Sequence, residues 1–273
     1  MKIYLLACAG MLFVSAMNQQ DIDVQKPTSS EESVSLAEDT YKVIRVDGRI
    51  VFVRTGKDMS RGDEFRNTEK LDFKTQQSRA AVISRQQGRK ILAPSSSGRS
   101  SLLPAMNNIA SRSGGLINAI DLKNHFSGKY LVIDHNKLVI RSSSYPMNDE
   151  QFFFFRYEYG GETISKKPEF SKDTLFVDPQ ELYMIDGAPI DGSGITEIQV
   201  YYREGKTNTL IGSFEPVFPE EEDIIAETEI ILEQTETEDK EERINEVMAY
   251  LNEFYGKPNK EDLVRWMEAH MKL

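Results

Sequence analysis

The densest group of side chains able to do chemistry is basic. Arg79, Arg85, Arg89, Lys90 and Arg99 follow one another closely in the chain. Such a run could hold a polyanion through its summed positive field: a phosphorylated headgroup, an acidic glycan or an acidic protein surface. The same residues could instead form a solvated strand face whose charges protect a sheet edge. A third use is internal, on the acidic tail that begins Glu220, Glu221, Glu222 and Asp223. Exposed charges are screened beyond about 8 Å at physiological salt, so that use needs close approach. These five residues are the partner-binding candidates.

Catalytic patterns are weak by comparison. No Gly-x-Ser-x-Gly elbow occurs. Asp191-Gly-Ser-Gly194 is a glycine-rich turn, without the following Lys of a phosphate loop. The 44 acidic residues could supply a glycosidase pair, but those carboxylates need not be close in sequence and no spacing singles one out. The three His are widely spaced and no His-x-x-x-His pair exists, so no metal site is expected. His125 and His135 read as surface or hairpin residues, and His270 as packing beside Trp266. One Cys excludes a disulfide framework within the chain. The sequence therefore points to no catalytic residue and no cofactor. Phe152 to Phe155 stand in a row, so on a strand two would point to each face. That suits a strand buried on both sides, or an aromatic platform for sugar or peptide.

Compartment and charge frame these residues. Lys2, an apolar run from Ile3 to Val14 and the small-residue end Val14-Ser15-Ala16 form a secretory signal, too short to span a membrane. Leu5-Leu6-Ala7-Cys8 resembles a lipoprotein signal, but the apolar run lies mostly after Cys8. Cleavage after Ala16 would leave an exported, periplasmic chain with no Cys and no integral membrane span. Residues 17–40 are a polar acidic leader. Residues 41–113 carry 15 Lys plus Arg against 6 acids, whereas residues 219–273 carry 6 against 17. The net charge of -11 thus conceals a basic block. Overall acidity argues against a protein that coats nucleic acid.

The elements that must position these groups are mainly β, with a C-terminal α-helical unit, an α+β layout. Residues 41–95 read as short strands of a small barrel or sandwich, with a hairpin turn at Asp47-Gly48. Residues 96–114 are a Ser/Gly/Pro/Asn linker. Residues 115–218 form a second β-rich domain, opening with a helix within 116–126. Its strands 129–134 and 137–142 would be joined at His135-Asn136, and a helical turn is expected at 179–183. Residues 219–273 change to helical spacing. Ile244, Val247, Met248, Leu251, Phe254 and Tyr255 form a stripe, Gly256 stops it, and Asn259 caps the next helix. This helical hairpin is expected to pack on the second β domain.

The segment from Gly48-Arg-Ile-Val-Phe-Val-Arg-Thr-Gly56 through Met59-Ser-Arg-Gly-Asp-Glu-Phe65, Leu71-Asp-Phe-Lys-Thr75, Ser78-Arg-Ala-Ala-Val-Ile-Ser84 and Gly88-Arg-Lys-Ile-Leu92 resembles a FecR-type domain of the bacterial envelope. The resemblance implies a small all-β periplasmic domain that binds or scaffolds partners without catalysis. The whole layout is similar to exported proteins of Bacteroidetes-type bacteria. The expected function is a non-catalytic periplasmic scaffold whose basic β domain contacts an envelope protein or another anionic envelope component. The alternatives are an enzyme or enzyme accessory acting on envelope glycan or peptide through carboxylates of the second domain, and a FecR-like regulatory sensor. The partner's identity and the oligomeric state are open at this level.

Overall fold

A bulge in the first strand sets how the units of this protein meet. The computed structural model describes residues 39–95, 100–105, 116 and 118–272. The expected signal segment with Cys8, nearly all of the expected leader and Arg99 lie outside them. The first β unit comprises β1 (Thr40–Asp47), β2 (Ile50–Phe52), β3 (Glu64–Arg66), β4 (Leu71–Phe73), β5 (Arg79–Ser84), β6 (Gly88–Pro94) and β7 (Ser100–Pro104). Five strands form an antiparallel sheet in the order β3-β1-β5-β6-β7, and β2 pairs with β4 separately. This is an open, layered arrangement among the described strands. One face of the sheet buries Tyr41, Val43, Ala80, Val82 and Leu92 against Ile50, Phe52 and Met59.

Two expectations about this unit change. The Asp47-Gly48 turn joins no hairpin, because β1 and β2 pair with different strands. Gly48 has φ +76° and packs against Ser78, whose Oγ accepts the Arg49 N–H at 3.1 Å. The chain is thereby led across the start of β5 instead of back along β1. Within the expected linker, Ser100–Pro104 forms β7, with Leu103 opposite Ile91. Its composition resembles a linker, but the unpaired backbone edge of β6 accepts it as a strand.

The second β unit contains α1 (Ala119–His125), β8 (Lys129–Leu131), β9 (Asn136–Val139), β10 (Gln151–Tyr159), β11 (Glu162–Lys166), β12 (Phe170–Ser171) and β13 (Thr174–Val177). It continues with α2 (Pro179–Leu182), β14 (Met184–Ile185), β15 (Ala188–Pro189), β16 (Ile198–Glu204) and β17 (Thr207–Val217). One sheet runs β11-β10-β16-β17-β8, with β8 parallel to β17; another runs β12-β13-β9. Between them Phe153, Phe155, Tyr157, Val200, Leu138 and Leu175 share a core. The expected His135-Asn136 hairpin is absent. Asp134 turns at φ +61°, and buried Asn136 donates to the Leu131 carbonyl at 3.3 Å. These contacts send β8 and β9 to different sheets. His125 is also corrected: it is buried, with Nε2 2.9 Å from the Tyr130 hydroxyl and its ring edge-on to Phe126.

The C-terminal unit is three helices: α3 (Glu221–Gln234), α4 (Lys240–Phe254) and α5 (Lys260–His270). Asn259 caps α5 by accepting the Asp262 N–H at 3.0 Å, as the sequence spacing implies. No described helix is long and apolar enough to cross a membrane. The helices do more than sit on the second β unit. Ile224, Ile231, Val247, Leu251 and Trp266 share one core with Ile44, Ala81, Ile83 and Ile91 of the first unit and Leu131 and Ile133 of the second. Burial of such side chains contributes about 25 cal/mol per Å² of apolar surface. A shared core therefore makes the β units and the helices mutually dependent.

Gly256 is a close-contact point in this assembly. It has φ +118°, and a Cβ there would lie 2.7 Å from the Lys129 Cβ and 2.8 Å from its carbonyl oxygen. Gly256→Ala combines a left-handed backbone with overpacking, and a loss of about 2 kcal/mol is expected in urea unfolding. An unchanged midpoint would show that this contact is not needed.

Candidate functional site

Most of the basic block is turned inward. The register of β1 on β5 shifts between Val43 and Arg45, leaving Ile44 as the extra residue. A bulge re-aims the side chains beside it. Here it sends Ile44 and Arg45 to the same face, towards the helices. Val43 meanwhile stays in the opposite core. Arg45 Nη1 donates to Glu227 Oε1 at 3.2 Å and also to the Tyr255 hydroxyl, while its Nε donates to Asp47 at 2.6 Å. Its guanidinium lies 4.6 Å from the Tyr255 ring centre.

Glu227 is 2 % exposed, and its other oxygen accepts the hydroxyls of Tyr250 at 2.8 Å and Tyr255 at 2.7 Å. Burial pushes this carboxyl above the usual carboxylate range. The two tyrosine hydroxyls and Arg45 oppose the rise without cancelling it. Burial and the Glu227 charge in turn push both tyrosines up. Arg61 joins from the first unit by donating to Asp223 at 2.8 Å, and Lys42 donates to Glu233 at 2.6 Å.

The five partner-binding candidates are not brought together. Arg79 donates to Asp47 at 3.1 Å and lies 4.5 Å from the Phe254 ring centre. Arg85 Nη2 donates to the Glu233 carbonyl at 3.4 Å. Arg89 is buried and donates to Glu253 at 2.5 Å, while its Nε and Nη2 meet no acceptor among the described residues. Lys90 stands opposite Val82, whose side chain belongs to the other core, so it points away from the helices. Three of the five thus contact the chain's own helical unit. Sequence shows the two opposite charge blocks, but not the bulge that aligns them.

A second group was not singled out as a set. The strand of four Phe splits as its pleat requires: Phe153 and Phe155 enter the core, and Phe152 and Phe154 take the outer face. On that face Phe154 is buried, Phe152, Arg156 and Tyr201 are half-buried, and Lys167 and Arg203 are exposed. Phe154 stacks on Tyr201 at 5.1 Å and 10°, and Arg156 spans both rings at 5.5 and 4.7 Å. Lys167 lies 4.3 Å and Arg203 5.8 Å from the Phe152 ring centre. Leu210, opposite Tyr201, is 53 % exposed. Arg156 donates to Ser165 Oγ at 3.4 Å and Arg203 to the Gly205 carbonyl at 3.0 Å. None of the three cations pairs with a carboxylate among the described residues. The Phe run marked this strand in the sequence; the contributions of β16 and Lys167 needed the strand register.

The cavities do not gather the perturbed carboxylates. A groove of about 890 Å³ on the first β unit is lined by Phe52, Val53, Arg54, Lys57, Phe65 and Lys70 among others. A smaller one of about 410 Å³ includes His135, Lys166, Lys167, Asp178 and Glu181. Glu227 and Asp262, the two carboxyls that burial pushes up, line neither. Asp262 accepts the Lys137 N–H at 3.0 Å and Arg265 at 2.6 Å, tying α5 to β9. Comparison of the chain with protein-family models, curated proteins and solved structures finds no match.

Two measurements check this electrostatic layout. The folded chain keeps a proton on Glu227 at pH values where the unfolded chain has lost it. Its stabilisation is therefore complete below the ordinary carboxylate value of about 4.3 and is lost as pH rises through the raised value. Glu227→Gln cannot lose that proton. Urea unfolding across this window should show the wild type losing stability relative to the variant as pH rises; parallel curves would contradict the assignment. At Arg89, Glu253→Ala strands a buried cation and should cost about 3 kcal/mol. The double change Arg89→Met, Glu253→Met should recover most of that loss in the same assay, whereas an additive loss would exclude the pairing.

Proposed function

We propose that this protein is a non-catalytic binding or scaffold protein of the bacterial envelope that engages an anionic partner. The carrying observation is the unequal use of its cations. Arg45, Arg61, Arg79, Arg85 and Arg89 meet groups of the chain's own helical unit. Arg156, Lys167 and Arg203 instead lie over aromatic rings on the outer sheet face and pair with no carboxylate among the described residues. Arg and Tyr are enriched at protein interfaces because they combine contact area with directional donors. The export-type N-terminus and the FecR-type resemblance of residues 48–92 support an envelope setting. The partner-facing charge is accordingly assigned to the second β unit, while the basic unit is clamped to the helices.

Affinity capture of the tagged full chain from envelope fractions of its native host tests this reading. One partner recovered in stoichiometric amount, and released as salt is raised, is the expected result. Recovery of the chain alone as a monomer would overturn it.

A further inference from the structure

We infer that the outer face of β10 and β16 binds an extended acidic segment of a partner protein, through carboxylates repeating along one side of that segment. The inference rests on the scaffold reading and specifies its contact. Register places Phe152 opposite Arg203, Phe154 opposite Tyr201 and Arg156 opposite Gln199. The backbone positions of Arg156 and Arg203 thus lie four residue steps apart along the sheet, about 13 Å at roughly 3.3 Å per residue. An extended chain repeats its side chains on one face every two residues, so carboxylates at i and i+4 match this span. Lys167 beside Phe152 adds a third charge near the Arg203 end.

The rings favour peptide over sugar. Sugar stacking needs bare aromatic faces. Here Arg156 covers Phe154 and Tyr201, and Lys167 and Arg203 approach Phe152. With Nε of Arg156 on Ser165 and Nε of Arg203 on the Gly205 carbonyl, each guanidinium offers its two Nη groups, in the plane, for bidentate carboxylate contact. Such holding also reduces the side-chain entropy lost on binding. Exposed Leu210 supplies an apolar margin for the partner's intervening side chains.

Titration calorimetry of the full chain with an alternating Glu-Thr decapeptide tests the inference. Its Gln-Thr counterpart and polygalacturonate serve as comparison probes. Binding of the acidic peptide should weaken with salt and fall about tenfold or more in Arg156→Glu, Arg203→Glu. Arg156→Gln, Arg203→Gln removes the charges without reversing them and should weaken binding in the same direction. Circular dichroism and the unfolding midpoint confirm that each variant is folded. Failure of the wild type to bind, equal binding by both variants, equal binding of the Gln-Thr peptide or preference for polygalacturonate would each overturn the inference. Envelope capture with the Gln variant separates the two proposals. A partner retained by wild type and variant alike removes this face and leaves the scaffold reading. A wild type that captures nothing removes the scaffold reading itself.

Discussion

The buried carboxylate of Glu227 is the constraint on which the association of the β and helical units depends. A carboxyl excluded from water is costly to bury unless its oxygens have hydrogen-bond partners. Here α4 supplies the Tyr250 hydroxyl, Tyr255 follows at its end and β1 supplies Arg45. These partners come from segments far apart in the chain. The requirement for all of them at once limits how the first β unit can lie on the helices. Apolar packing of Ile44, Ala81 and Ile91 against Ile231 and Leu251 contributes adhesion, and the polar cluster contributes register. The bulge after Val43 is what permits both, since regular alternation would put Ile44 and Arg45 on opposite faces.

This arrangement divides the molecule's charge into two populations. Cations at the junction meet a carboxylate, a carbonyl or a ring of the helices at short range, and salt screens them least where burial is greatest. Those on the outer sheet face are held by ring quadrupoles, which leave their net charge unbalanced locally. Net acidity of the whole chain therefore describes neither surface. A partner would meet the local potential of the outer face, not the average.

Legibility differed between elements for physical reasons. The three helices and the cap at Asn259 follow from local side-chain spacing, because a helix satisfies its backbone within one segment. The mainly β character was equally visible. Pairing was not. Asp47-Gly48 and His135-Asn136 have hairpin composition, yet their flanking strands join different sheets. The turn residues specify a change of direction, whereas strand partners are chosen by distant backbone edges and by Ser78 or Asn136. Ser100–Pro104 was hidden for the same reason. His125 looked like a surface residue until Phe126 and Tyr130 enclosed it.

The candidate site shows the same division at the level of single side chains. The sequence by itself determined the charge blocks, the aromatic strand and the helical stripe, since composition and period are local properties. It could not rank the possible uses of Arg79, Arg85 and Arg89, because all were basic residues near strands. Only the tertiary structure decided that they meet Phe254, Glu233 and Glu253, while Arg156, Lys167 and Arg203 face outward. The reason is that a charge's role depends on which opposite charge or ring lies within a few ångströms, and that neighbour is set by strand register and by one extra residue in β1.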